Sequence, residues 1–299
     1  MLNSKKIQSF LNNYVNIHFR SVQNRQYCRN LSLLKRIMSI YYRHTIADHL
    51  EHLLRRARER IFGLDRSVFA KTIQYYREVK GQNISVGMAL SRALNKKEHK
   101  QAWFVRSRKT IDDIMNFYQE VEIYLFRQPY LKRFGGFKWY RYLVNHKSNP
   151  LILEYGCGTA DLTEWLLKKY PNCKYTVADI PSKTLDFVKW KKNKYKYNYE
   201  ILTIGKGKNG IPIKQNYDLI VCQNVLEHTI NPLDIASAFI DHLANCGVLI
   251  IDFINAPGGE NLDIAVKYRE MVKSFLKHNF YVIKAIDEPY GNNGIYVKC

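Results

Sequence analysis

Two different spacings of apolar residues divide the chain. In the first half they recur every three to four positions: Leu31, Leu34, Ile37, Met38 and Tyr41, then Ile46, Leu50, Leu53, Leu54, Ala57 and Ile61, stopping before Gly63. That is helical spacing. Asp65 or Ser67 is placed to cap a further helix running to Val79 and stopped by Gly81. Segments 84–95 and about 98–127 predict two more, the last broken by Pro129. In the second half the apolar residues gather in short runs at 151–154, 174–179, 199–204, 217–222 and 247–253. Helical stretches separate them, starting at Leu162, at 182–192, at Asn231-Pro232 with Asn as cap and Pro in the first turn, and at 262–278. Two final strands, 280–286 and 294–298, are joined by a turn containing Asn293-Gly294. Strand alternating with helix predicts an α/β fold with a parallel sheet covered on both faces. The division is therefore a helical region at 1–128, an aromatic-rich connector at 129–149 and a sheet domain at 150–299.

The first strand carries the most chemistry. Leu151-Ile-Leu-Glu-Tyr-Gly-Cys-Gly-Thr-Ala-Asp161 is an apolar run, a carboxylate, and a turn on Gly156 and Gly158 leading into a helix. Glycines there let backbone approach a ligand, and the helix N-terminus behind them is partly positive. A second strand ends in Asp179, where a carboxylate suits the two hydroxyls of a ribose. A fourth runs into Gln223-Asn-Val-Leu-Glu-His228.

These marks resemble the class I S-adenosylmethionine-dependent methyltransferases: Glu154-x-Gly156-x-Gly158-x-Ala160, Asp179, and Val225-Leu226-Glu227-His228 followed by Asn231-Pro232. The Val-Leu-Glu-His run is similar to the branch that includes quinone-biosynthesis and other small-molecule enzymes. The resemblance covers 150–299 and implies a seven-stranded Rossmann-like sheet whose last strand is inserted antiparallel; the spacing and charge of the first half place an all-helical basic domain before it. It implies S-adenosylmethionine as cofactor, held by Glu154, Gly156, Cys157, Gly158, Asp179, Ile180, Asn224 and Val225. Two departures stand out. Ala160 replaces the third glycine, and 204–212 lacks the carboxylate that many relatives place against the adenine amino group. The Gly-Lys alternation there has no Gly-Lys-Ser/Thr ending, so it reads as a loop and not as a phosphate cradle.

A sulfonium methyl is already electrophilic, so such a protein mainly aligns an acceptor and, for a hydroxyl or a cationic amine, removes a proton. His228, following a central strand at its C-terminal edge, is the candidate base. Asp252 at the fifth strand tip and the loop at 255–260 border the expected acceptor site. Tyr130, Phe134 and Trp139 of the connector are candidates to roof it.

Charge changes the picture for the first half. The formal net charge is +21; residues 1–149 hold 29 Lys and Arg against 10 Asp and Glu, and 17 of the 18 arginines. Arginine is the forked, always-charged donor suited to phosphate, and Arg55-Arg56-Ala-Arg58-Glu-Arg60 gives one helix a basic face, so an anionic partner fits: RNA, anionic lipid or a phosphorylated acceptor. His44, Asp48 and His52 share a helical face but span too far for one ion, so no metal is expected. Six cysteines form no C-x-x-C pair, which suits reduced thiols and a cytoplasmic protein, and Cys222 lacks the Pro-Cys setting of a cysteine nucleophile. No run of eighteen apolar residues predicts a membrane span, leaving only peripheral membrane contact. Nor do the first residues resemble a secretory signal.

Three readings compete. The first is a methyltransferase acting on an oxygen or nitrogen of a small molecule, with the helical half as lid. The second is an RNA methyltransferase whose basic half grips phosphates. Against one subclass of these, Gln223-Asn-Val-Leu stands where base-amino enzymes carry Asn/Asp-Pro-Pro-aromatic. The third is a non-catalytic member of the fold acting as a subunit.

Overall fold

The computed structural model describes residues 66–132, 149–205, 215–253, 261–286 and 293–298. The helices expected at 31–61 with their arginine face, the His44/Asp48/His52 set, Phe134 and Trp139, and the loops at 206–214 and 254–260 lie outside the described residues.

The strands are β1 (Leu151–Tyr155), β2 (Lys174–Asp179), β3 (Tyr199–Thr203), β4 (Tyr217–Cys222), β5 (Leu243–Asp252), β6 (Tyr281–Lys284) and β7 (Asn293–Val297). They form one seven-stranded sheet in the order β3-β2-β1-β4-β5-β7-β6. The pairs β1–β2, β1–β4, β2–β3 and β4–β5 are parallel, and β7 is antiparallel to β5 and to β6. The expected α/β architecture with an antiparallel last strand is present. Asn293 and Gly294 lie inside β7, paired with Asp252 and Ile251, and not in a turn as their dipeptide suggests. Pairing with β5 overrides that local turn preference.

Both sheet faces are buried, so the parallel strands read as continuous apolar runs. Leu153, Tyr155, Ile220, Cys222, Leu249 and Ile251 pack on one side, and Ile152, Val177, Leu219, Val221, Val248 and Ile250 on the other. Helices α6 (Asp161–Lys169), α7 (Lys183–Tyr195), α8 (Pro232–Asp241) and α9 (Asp263–Asn279) cover them. Ser182 caps α7 by accepting from Leu185 N. Asn231 occupies the N-cap position of α8 without a side-chain cap bond, a correction to the expected cap; Pro232 alone sets the first turn.

The described part of the first half is helical: α1 (Ala70–Val79), α2 (Val86–Leu94), α3 (Lys96–Phe104), α4 (Ile111–Glu120) and α5 (Tyr124–Lys132). The single helix expected at about 98–127 is three. Thr110 and Asp113 form a capping box that starts α4 afresh, a signal masked by the near-continuous apolar spacing. Nor does Pro129 end a helix. It lies inside α5, where its missing N–H would have bonded the carbonyl of Leu125. Thr72 Oγ1, from α1, donates to that carbonyl at 3.0 Å. Thr72 is 1% exposed and Leu125 fully buried, so water cannot take over. A Thr72→Val variant keeps the shape and removes the donor. It is expected to lose about 1–3 kcal/mol of stability, read as a lowered urea midpoint; an unchanged midpoint would show that the Leu125 carbonyl is satisfied another way.

The helical part is fastened to the sheet domain. Phe69, Tyr75, Tyr76, Ala89, Ala93, Leu125 and Phe126 pack around Phe187 of α7. Lys71 of α1 pairs with Glu164 of α6 and donates to Tyr197 Oη at 2.7 Å. No described helix is long and apolar enough to cross a membrane.

Candidate functional site

The site forms where β1, β2 and β4 end. Gly156 and Gly158 have φ of +68° and +56°, the left-handed region open to glycine. A Cβ at Gly156 would fall 2.2 Å from Val225 Cγ2, so Val225, in the segment that follows β4, presses directly on the turn. Ala160 also adopts φ +52°, so the departure from a third glycine keeps the glycine-like conformation, at some strain. Gly156 and Cys157 donate their backbone N–H to Ala178 O at 2.8 and 3.1 Å, stitching the turn to β2.

Asp179 completes the turn. Its Oδ2 accepts from Gly158 N at 2.6 Å and its Oδ1 from Ile180 N at 2.8 Å. From behind, Lys191 of α7, 1% exposed, donates to Thr159 O at 2.5 Å and pairs with Glu164. From the helical half, Gln128 Oε1 accepts from Thr159 N at 2.8 Å. Backbone of a few residues is thus held from three directions.

A cleft opens over this turn, lined on the sheet side by Tyr155, Gly156, Gly158, Asp179, Ile180, Ile204, Asn224, Val225 and His228. Its other wall comes from α4 and α5: Ile111, Ile114, Met115, Tyr118, Tyr124 and Gln128. The lining described contains no lysine or arginine. Burial pushes the Tyr155 phenol well above its usual range, with Cys222 and Asp179 adding to the rise, so it stays neutral. The Cys222 thiol, fully buried, is likewise raised, first by desolvation and then by Asp252 and Glu227, and is no nucleophile at neutral pH.

His228 stands at the meeting of the two walls. It follows β4 in a short 3-10 turn, Leu226–His228. Its ring stacks on Trp103 of α3, centroids 5.7 Å apart and planes at 26°. Trp103 is fixed in turn, its indole N–H donating to Tyr124 Oη at 2.8 Å.

The residues read from sequence divide clearly. Gly156, Gly158, Asp179, Ile180, Asn224, Val225 and His228 line the cleft. Cys157 is fully buried beneath the turn and is not in the lining. Glu154 points the other way: buried, it accepts from Thr163 N at 3.1 Å and Thr163 Oγ1 at 2.6 Å, securing the start of α6. Asp252 is also buried and outside the lining; its Oδ1 accepts from Asn224 N at 2.5 Å, and this helps hold Asn224 at φ +56° in the cleft wall. Tyr130 packs against the helical core around Phe126 and does not roof the cleft. Trp139 lies outside the described residues. Sequence reading expected a lid from the helical half but named none of the α4 and α5 residues that line the cleft, Gln128 above all. The one available signal was the amphipathic spacing Ile111, Ile114, Met115, Tyr118, which marks a buried face but not what it faces. Among the described residues no cluster of His, Cys, Asp and Glu is placed to hold a metal.

Comparison with known proteins agrees with this geometry. Residues 153–249 match the model of the family described as "Methyltransferase domain". No curated protein sequence matches the chain. Among solved structures, a methyltransferase from Pyrococcus furiosus aligns over 70% of this chain and 97% of its own, at 16% identity and TM-score 0.40. An S-adenosylmethionine-dependent methyltransferase from Clostridium acetobutylicum aligns over 54% and 89%, at 17% and 0.41. The N-methyltransferase NodS of Bradyrhizobium japonicum, crystallised with S-adenosylhomocysteine, aligns over 50% and 78%, at 16% and 0.36. The family match, the strand order and the glycine turn agree that residues 153–249 form a Rossmann-like methyltransferase domain.

Proposed function

We propose that the protein methylates an oxygen or nitrogen of a small, uncharged and largely apolar acceptor, with His228 taking the proton. The observation that carries this reading is the wall of the cleft: Ile111, Ile114, Met115, Tyr118 and Tyr124 opposite the glycine turn, with no described lysine or arginine among the lining residues. An anionic acceptor desolvated in such a place would lack a countercharge. None of the lysines and arginines behind the charge of +21 is among the described lining residues.

The residues fit the cofactor. Asp179 would hold ribose hydroxyls with lone pairs left after its two amide contacts, since a carboxylate offers about four acceptor sites. The methionine end would lie over the glycine turn, and Ile180, Ile204 and Val225 supply apolar contacts for a base. Bound, S-adenosylmethionine supplies an electrophilic methyl on a sulfonium. The chain's own contribution is to exclude water with the α4–α5 wall, to fix the acceptor against Tyr118 and Tyr124, and to receive a hydroxyl proton at His228.

Titration calorimetry with S-adenosylmethionine and S-adenosylhomocysteine tests the first half of the reading, with binding in the micromolar range expected. Methyl transfer from labelled cofactor is then compared across neutral apolar phenols, alcohols and amines, their phosphorylated counterparts, and RNA at 50 and 200 mM salt. Transfer to the neutral set is the expected result. Transfer to RNA, with binding that falls steeply as salt rises, would replace this reading with the basic half gripping phosphates. Cofactor binding without transfer to any class would favour a non-catalytic subunit.

A further inference from the structure

We infer that Gln128 is the residue that reads the amino-acid end of the cofactor, so that the helical half is part of the cofactor site and not only a lid; this rests on the cofactor reading above. Gln128 belongs to α5, yet its carboxamide lies on the glycine turn. Its Oε1 accepts from Thr159 N at 2.8 Å. Because a backbone N–H can only donate, the atom facing it is the oxygen, and the amide nitrogen is left as a donor. A Cβ at Gly158 would lie 2.3 Å from Gln128 Oε1 and 2.6 Å from Nε2. The carboxamide therefore fills the space that the second glycine leaves open, and both residues line the cleft.

The turn's own amides are committed. Gly158 N is taken by Asp179, Thr159 N by Gln128, and Gly156 N and Cys157 N by Ala178 O. With no described cation in the lining, an α-carboxylate brought to this turn meets Gln128 Nε2 as the side-chain donor at hand. The placement is rigid. Neighbouring Phe126 is buried against Tyr76, 5.2 Å between ring centroids, and Leu125 is held by Thr72.

The test uses the full chain and two thioether nucleosides, S-adenosylhomocysteine and 5′-methylthioadenosine, which lacks the amino-acid group. Gln128→Ala is expected to weaken the first by roughly 10- to 100-fold, the loss of a hydrogen bond to a charged group, and the second by less than about twofold on the same argument. Gln128→Glu, which removes the donor and adds a like charge, is expected to weaken S-adenosylhomocysteine further than Gln128→Ala does. Equal losses for both ligands would mean that Gln128 only shapes the turn and would overturn the inference, as would no loss for either or a wild-type protein that binds both equally. A wild-type protein that binds neither nucleoside overturns the cofactor reading itself, and this inference with it. Thermal unfolding of each variant separates loss of a contact from loss of fold.

Discussion

Replacing Asp179 with alanine is expected to weaken S-adenosylhomocysteine binding about 100-fold or more. The estimate has two parts. A ribose held by two hydrogen bonds to a carboxylate loses about 1.5–3 kcal/mol for each when the carboxylate goes. The free protein changes as well, because Gly158 N and Ile180 N, at 2.6 and 2.8 Å, lose their acceptor. Gly158 then keeps its position only through the contacts of its neighbours, so the turn samples conformations that cannot bind. Asp179→Asn separates the parts. One carbonyl oxygen remains to accept from backbone while the charge is lost, so its affinity should fall between wild type and Asp179→Ala. Calorimetry on all three proteins reads the order directly. Wild-type affinity in Asp179→Ala would place the ribose elsewhere and undo the assignment of the β2 tip.

The contrast between Asp179 and Glu154 shows what could be read from sequence. Both are carboxylates at the end of buried parallel strands, and both looked ligand-facing. Side chains alternate along a strand, so one residue of offset sends a side chain to the opposite face. Tyr155 lines the cleft and Glu154, one position earlier, bonds Thr163 of α6 instead. Which member of such a pair faces a ligand depends on the neighbouring layer, and the run Leu-Ile-Leu-Glu-Tyr carries no mark of it. Asp252 is likewise outside the cleft lining, and its Oδ1 accepts from Asn224 N. The strands themselves were legible because burial on both faces demands apolar runs, and because glycines at 156 and 158 serve conformations that other residues rarely adopt.

The helical half was legible in kind but not in purpose. Its spacing gave helices; it could not give the partners of Gln128, Trp103 or Thr72, which lie 31 residues away at Thr159, on His228, and 53 residues away at Leu125. Such contacts are fixed by how α1, α3 and α5 dock, and docking is decided by bulk apolar surface before any hydrogen bond is chosen. Pro129 misled for the same reason. Its local rule is a helix break, and only the threonine brought up from α1 removes the cost. The buried lysine between α6 and α7 extends this logic. Lys191, Glu164 and Lys71 form one charge group shared by sheet domain and helical half, and Lys191 also holds the Thr159 carbonyl. Removing Glu164 would leave Lys191, 1% exposed, without its nearest carboxylate, so the turn, α6, α7 and α1 are coupled through this group.

Replacing His228 with alanine is expected to leave S-adenosylhomocysteine affinity within about twofold while kcat falls by about 10²–10⁴, the usual range for losing a positioned general base. The geometry supplies the reason for the split. His228 lies where the β4 edge meets the α4–α5 wall, and none of the turn contacts run through it. Its imidazole is oriented by stacking on Trp103, and Trp103 is held by Tyr124 Oη. Trp103→Leu should therefore act on turnover in the same direction but more weakly, about tenfold, because the base remains while its orientation loosens. The two variants together separate proton removal from simple shaping of the cleft. If His228 accepts a proton, raising the pH so that the acceptor hydroxyl ionises unaided restores part of the activity of His228→Ala, whereas a packing defect gains nothing. Full kcat in His228→Ala would instead point to an acceptor that attacks without shedding a proton first, such as a neutral amine, and would move the weight of catalysis onto alignment by Tyr118 and Tyr124.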